Sequence, residues 1–161
     1  MRHSLRFALI LLLTAFQTGC VQLATVDSTR DPLYAPMIGR TYELTQKFLV
    51  RGIQLIDQKS PDPAYILIMP PPGIGGHLVT DLGLLAAGSR FKIVGVVTHR
   101  SELFPSTRYE IALEYPEQIL SRGAPIRIRD VPAWKLYDKP AAPDQPPGLS
   151  ETYFRPIPAP R

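Results

Sequence analysis

An all-β fold, a small antiparallel barrel with one short helical turn, is what this chain predicts, and three observations carry it. RYEIALE at residues 108–114 alternates strictly, with Tyr109, Ile111 and Leu113 on one face and Arg108, Glu110, Ala112 and Glu114 on the other. APIRIR at residues 124–129 repeats the pattern, Ile126 and Ile128 against Arg127 and Arg129. Period-two alternation over such lengths marks half-buried strands. Gly88 before Arg90, and Pro105-Ser106 before Arg108, supply turn chemistry between the runs.

The chain divides into four parts: a leader at residues 1–19, an anchored N-terminus and tether at 20–36, a β body at 37–131 and a Pro-rich extended tail at 132–161. Arg2 and Arg6 give the leader a positive start, and residues 7–16 are apolar but for Thr14. That is the length of a secretory signal helix and too short for the roughly 20 apolar residues that cross a bilayer. Gln17 stands three places before a cut after Gly19, where an ordinary signal-peptidase site requires a small residue. Cys20, the only cysteine, follows directly.

With a small residue before a unique cysteine, Thr18-Gly19-Cys20 resembles the junction of a bacterial lipoprotein leader cut by signal peptidase II. The resemblance implies cleavage between Gly19 and Cys20, acyl chains such as palmitate on Cys20, and a mature N-terminus held on the membrane. Val21 and Gln22 follow the cysteine, with no aspartate there. In the Gram-negative members this implies the outer membrane, facing the periplasm. Each buried methylene of a chain contributes about 0.8 kcal/mol, so two chains anchor stably.

Residues 21–36 are polar and broken by Asp-Pro and Ala-Pro, and read as a tether reaching about 55 Å when extended. In the body, residues 41–44 and 48–56 are β-prone, and YILIM at 65–69 is a short apolar strand. RFKIVGVVTH at 90–99 places Phe91, Ile93 and Val97 on one face, with Gly95 between. Residues 115–123, with proline near the start and glycine at the end, predict one or two helical turns between the last two strands. This order of elements resembles an SH3-like barrel, in which a short 3₁₀ turn joins the final strands. Past Val131, eight prolines exclude a helix interior or a central strand. Trp134, Leu136 and Tyr137 are placed to pack back onto the body, and the rest of the tail reads as mobile.

The chain carries eighteen Lys and Arg against fourteen acids, and two of the cations belong to the leader, leaving sixteen against fourteen. No basic cluster runs along one face as a nucleic-acid binder requires, so nucleic acid is excluded as a partner. With Cys20 acylated no disulfide forms, and the body relies on apolar packing.

PPPGIGGH at residues 70–77 meets neither G-x-G-x-x-G nor the P-loop, since Leu78 stands where glycine is required and no Lys with Ser or Thr follows. It reads as a Pro-stiffened loop whose glycines supply positive φ. His77, Asp81, His99 and Glu102 have the chemistry to converge on a metal, but their spacing forms no metal motif. Catalytic motifs are absent, so no enzyme and no cofactor is expected; an enzyme reading survives only through His77 and His99.

Arg127 and Arg129 leave one face of a strand, with Arg122 upstream, a ridge suited to lipid phosphates, acidic glycan or a partner's carboxylates. Pro140, Pro143 and Pro146 recur every three residues, the polyproline II period. Beyond them Tyr153 and Phe154 read as exposed aromatics of a docking peptide, with Trp134 a further contact. The expectation is therefore an envelope lipoprotein contacting a protein partner, or alternatively binding peptidoglycan or an acidic glycan.

Overall fold

The computed structural model describes residues 24–100, 106–115, 123–129, 134–140 and 142–158. Among them the chain is nearly all β, with nine strands and no α-helix. The strands are β1 (Ala24–Asp27), β2 (Thr41–Leu44), β3 (Phe48–Ile53), β4 (Tyr65–Met69), β5 (Val79–Leu85), β6 (Arg90–Arg100), β7 (Ser106–Leu113), β8 (Ile126–Arg129) and β9 (Phe154–Ile157). They form one mixed sheet in the order β5-β3-β4-β8-β7-β6-β2-β9, with β1 beside the second half of β6. All pairs are antiparallel except β4 with β8, which is parallel and corrects the expectation of a wholly antiparallel sheet. No ladder joins β5 to β9 among the described residues, so the sheet is not closed by hydrogen bonds.

The alternating runs do what their period dictates. Opposite residues across an antiparallel pair share a face, and the registers align Ile93, Ile111, Ile126 and Ile66 in one row across β6, β7, β8 and β4. All four are buried and form the centre of the main core with Tyr109, Ile128, Phe48 and Phe91. The next row, on the opposite face, reads Gly95, Glu110, Arg127, Leu67, Arg51 and Asp81 across six strands. The row on one face is thus four buried isoleucines, and the next row, on the other face, carries four charged side chains about Gly95 and Leu67.

Two bulges alter the parity. Between Ile93 and Gly95 the register shifts, so Val94 is turned out to 46 % exposure and Val96 replaces it inside. The inner set of β6 is therefore Phe91, Ile93 and Val96, and Val97 belongs to the opposite face. The second bulge lies where Val50 pairs with Gly83 and Arg51 with Asp81. Gly83 takes φ +119° there, and its N–H donates to Asp81 Oδ1 at 2.9 Å. An Asp side chain bonding two residues on builds such a kink, and glycine tolerates it.

The segments read as tether and tail are parts of the fold. β1 pairs with β6, the 3₁₀ turn Pro32–Tyr34 is capped by Asp31, and Tyr34 and Met37 are buried in the main core. At the other end β9 pairs with β2, and Leu136, Leu149 and Phe154 lie in the same core. Tyr137 Oη accepts from the Tyr109 N–H and donates to the Ile128 carbonyl, while Tyr109 Oη donates to the Pro147 carbonyl at 2.6 Å. Proline does not prevent this: Pro156 stands opposite Tyr42 on β9, an edge strand, which tolerates a residue without an N–H. The leader, Gly19, Cys20, Glu102, Arg122 and the helical turn expected at 115–123, apart from its first and last residues, lie outside the described residues.

Candidate functional site

The outer face of the sheet divides in two. Toward β3 it is apolar: Ile53, Leu67 and Met69 are buried, with Leu49, Tyr65, Ile74, Val79 and Trp134 packed against them. Ile74 comes from PPPGIGGH, which lies over this cluster, with the Pro71–Pro72 bond in the cis form. Gly73 is required at its position. Its φ is +74°, and a Cβ there would stand 2.5 Å from Leu49 Cδ1. Gly73 thus serves close packing, whereas a Cβ at Gly75 or Gly76 would meet nothing within 4 Å, and the loop is a cover on the sheet.

Toward β7 and β8 the same face is cationic. Arg127 donates from Nε and Nη2 to Glu110 Oε1 at 2.9 and 2.7 Å, so its charge is matched. The Arg127 guanidinium also lies 5.1 Å from the centre of the Tyr65 ring, and that of Arg108 lies 5.7 Å from the same ring. Tyr65 therefore meets two guanidiniums at cation–π distance. Arg108 is directly opposite Arg129 in the β7–β8 register.

Arg108 is the anomaly of the molecule. It is only 8 % exposed, its Nε has no hydrogen-bond partner, and no carboxylate among the described residues pairs with it. Burial, then repulsion from Arg129 and Arg127, holds its guanidinium below the ordinary arginine range. His99 stands diagonal to it on β6, on the same face, with Nδ1 hydrogen-bonded to the Thr25 hydroxyl at 3.2 Å and Nε2 buried without a partner. Burial lowers the His99 pKa first, and Arg108, Arg127 and Arg129 lower it further.

The remaining expected residues are placed as follows. Asp81 caps the β5 bulge and pairs with Arg51 at 2.5 Å, and the hydrogen bond from Gly83 followed by the Arg51 contact lowers its pKa. His77 is exposed ahead of β5, and His99 sits near the far end of β6, five ladders away in strand order. The two histidines are not brought together. Among the described residues no three His, Cys, Asp or Glu side chains group as a metal site. Trp134 is half-buried against both clusters. Phe154 is fully buried against Phe48 and Phe91, and Tyr153 is half-buried, which corrects the expectation of an exposed docking peptide. An aromatic pair on a strand edge is pulled inward when a facing core offers apolar contact.

No family model, no curated protein and no solved structure matches this chain. Sequence reasoning reached Arg127 and Arg129 but passed over Arg108, Tyr65 and the pairing of Arg127 with Glu110. The available signal was charged residues at alternate positions on two strands; which of them lie opposite one another is a matter of register.

Proposed function

We propose that this chain is a non-catalytic lipoprotein of the bacterial cell envelope, a β-module held on the outer membrane by acyl chains on Cys20 and serving as accessory to a larger protein assembly. One observation carries the reading: a single thiol, in FQTGCV, directly behind a charged and apolar leader. The start of β1 at Ala24 adds a geometric consequence. From Cys20 to Ala24 the chain reaches about 14 Å when extended, far less than the long leash suggested by composition. On so short a link the module keeps its β1–β6 side toward the leaflet and offers the remainder to a partner. The body is read as a small barrel of the SH3-like or a related kind, left open along one seam. What supports this is the curl of the sheet, which brings Phe48 of β3 within 5.4 Å of Phe154 of β9 between ring centres.

The test is the Cys20→Ser variant. The parent should take up palmitate label and fractionate with the outer membrane, and the variant should do neither. Identical labelling and fractionation of the two ends the reading. A tagged parent solubilised mildly should also recover a reproducible envelope protein.

A second reading, an acidic-glycan or peptidoglycan binder, is favoured by the cationic face around Tyr65, since an aromatic ring beside guanidiniums is suited to a sugar carrying carboxylates. Purified sacculi should then pellet the protein at low salt. Absence of co-pelleting removes that reading.

A further inference from the structure

Two guanidiniums directly opposite one another on adjacent strands repel, and an isolated pair of that kind destabilises a sheet. Here Arg108 and Arg129 hold those positions with no carboxylate among the described residues to separate them. Glu110, the acid that the registers place beside them among the described residues, is already bound by Arg127. Two further observations single out the place. Arg108 is nine-tenths buried with an unpaired Nε, a costly arrangement for a charged donor. His99, diagonal to it, also leaves a buried ring nitrogen without a partner. Thr25 Oγ1 and His99 Nδ1 share a hydrogen bond whose direction follows the ring tautomer; in the tautomer in which the hydroxyl donates, Nε2 carries the ring proton and is a donor in need of an acceptor.

We propose that Arg108, Arg129 and His99 form a receptor for one phosphate monoester group on the outer face of the sheet. Charge selects the class. Two guanidiniums with no carboxylate partner among the described residues call for about two negative charges on one small group, which a phosphate monoester carries near neutral pH and a single carboxylate does not. Planar arginine forks match phosphate oxygens, and such charge-assisted bonds are the strong ones. Arg127 and Tyr65 form the wall: the Arg127–Glu110 pair is neutral in sum, and the Tyr65 ring meets the guanidiniums of Arg108 and Arg127.

The group has two possible sources, a lipid headgroup or a soluble phosphorylated sugar. The lipid source rests on the Cys20 reading, and the geometry suits it. β1 pairs with β6 at Thr25 and His99, and Arg108 lies two strands from β1, about 10 Å at the usual strand spacing. The anchor would thus hold the receptor at headgroup level.

The experiment uses the full chain carrying Cys20→Ser in neutral detergent, so that acylation plays no part. Inorganic phosphate, followed by calorimetry and by the His99 imidazole resonances, should bind saturably at one equivalent and shift His99. Arg129→Gln, a change at an exposed position, should weaken binding at least tenfold while leaving the Trp134 unfolding midpoint unchanged. Arg108→Lys, which keeps the charge but loses the fork, should weaken it as well. Absence of saturable binding, or equal affinity in Arg129→Gln, overturns the proposal. Phosphatidylcholine vesicles with and without phosphatidic acid, set against glucose 1-phosphate, then separate the sources. Selective binding to the acidic vesicles assigns the lipid, and binding to the sugar phosphate alone assigns the soluble ligand. Palmitate labelling of the parent reports separately on Cys20.

Discussion

Replacing Phe154 by alanine tests whether the C-terminal segment is a structural strand or a free peptide. The ring is fully buried, with centres 5.4 Å from Phe48, 5.8 Å from Phe91 and 6.3 Å from Tyr153. Truncating a buried Phe removes its transfer free energy and leaves a cavity, together about 3–5 kcal/mol. The two edge-on or tilted contacts with Phe48 and Phe91 place this site at the upper end. Against a total stability of about 5–15 kcal/mol for a domain, the variant loses a third or more. With a urea slope of about 1–3 kcal/mol/M, the midpoint should fall by about 2 M, and the melting temperature by on the order of 10–15 °C. Trp134 is the only tryptophan and sits half-buried on both clusters, so its fluorescence reports the transition directly. Pro156→Ala, on the exposed side of the same edge strand, is the control and should shift stability by about 0.5 kcal/mol or less. A Phe154→Ala midpoint within that margin of the parent would refute the reasoning, because it would mean that β9 contributes nothing to the fold.

Four further outcomes are expected. Gly73→Ala should cost about 1–3 kcal/mol in urea unfolding, since φ +74° and a 2.5 Å approach to Leu49 Cδ1 both oppose a Cβ; a neutral substitution would show that the loop is not packed on the sheet. Glu110→Gln should destabilise by about 1–2 kcal/mol, because it leaves the half-buried Arg127 with a weaker acceptor, and a double-mutant cycle with Arg127→Gln should recover most of that as coupling. Burial first, then the neighbouring Tyr34 and Tyr42, pushes the Tyr109 phenol far above the ordinary tyrosine range. A raised folded pKa contributes stability that is intact below the unfolded value near 10 and is lost as pH rises beyond it; ultraviolet titration should show one tyrosine ionising only with unfolding, and its ionisation with the exposed ones contradicts the burial. The His99 imidazole is depressed by burial and by three arginines. Its contribution is therefore present above the unfolded value of about 6.5 and declines as pH falls through its folded value. A magnetic-resonance titration placing His99 at or above the ordinary histidine range would contradict the cationic surroundings.

Legibility followed periodicity. Residues 108–114 and 124–129 announced their strands because an unbroken period of two survives where a strand carries no extra residue, and the bulge in the β6–β7 ladder lies on β6. β5 was missed for the opposite reason: the bulge at Leu82 breaks the parity of VTDLGLL, so no template of period two spans it. The same effect shifted the inner face of β6 from Val97 to Val96. β1 and β9 are four-residue edge strands, one polar and one holding a proline, and neither has enough residues to show a pattern. At the site, Arg127 and Arg129 were visible as an alternating pair, while Arg108 read as one more outward residue of its strand.

From composition and order alone came the β character of the body, the direction each regular strand faces, and a junction at Cys20 that resembles a lipoprotein's. Those are local properties, written in spacing and residue type within a few positions. Tertiary structure alone decided that the two ends of the described chain close the core, and that Arg108 faces Arg129 across β7 and β8. Both depend on register between segments distant in sequence, where a shift of one residue turns every side chain to the opposite face.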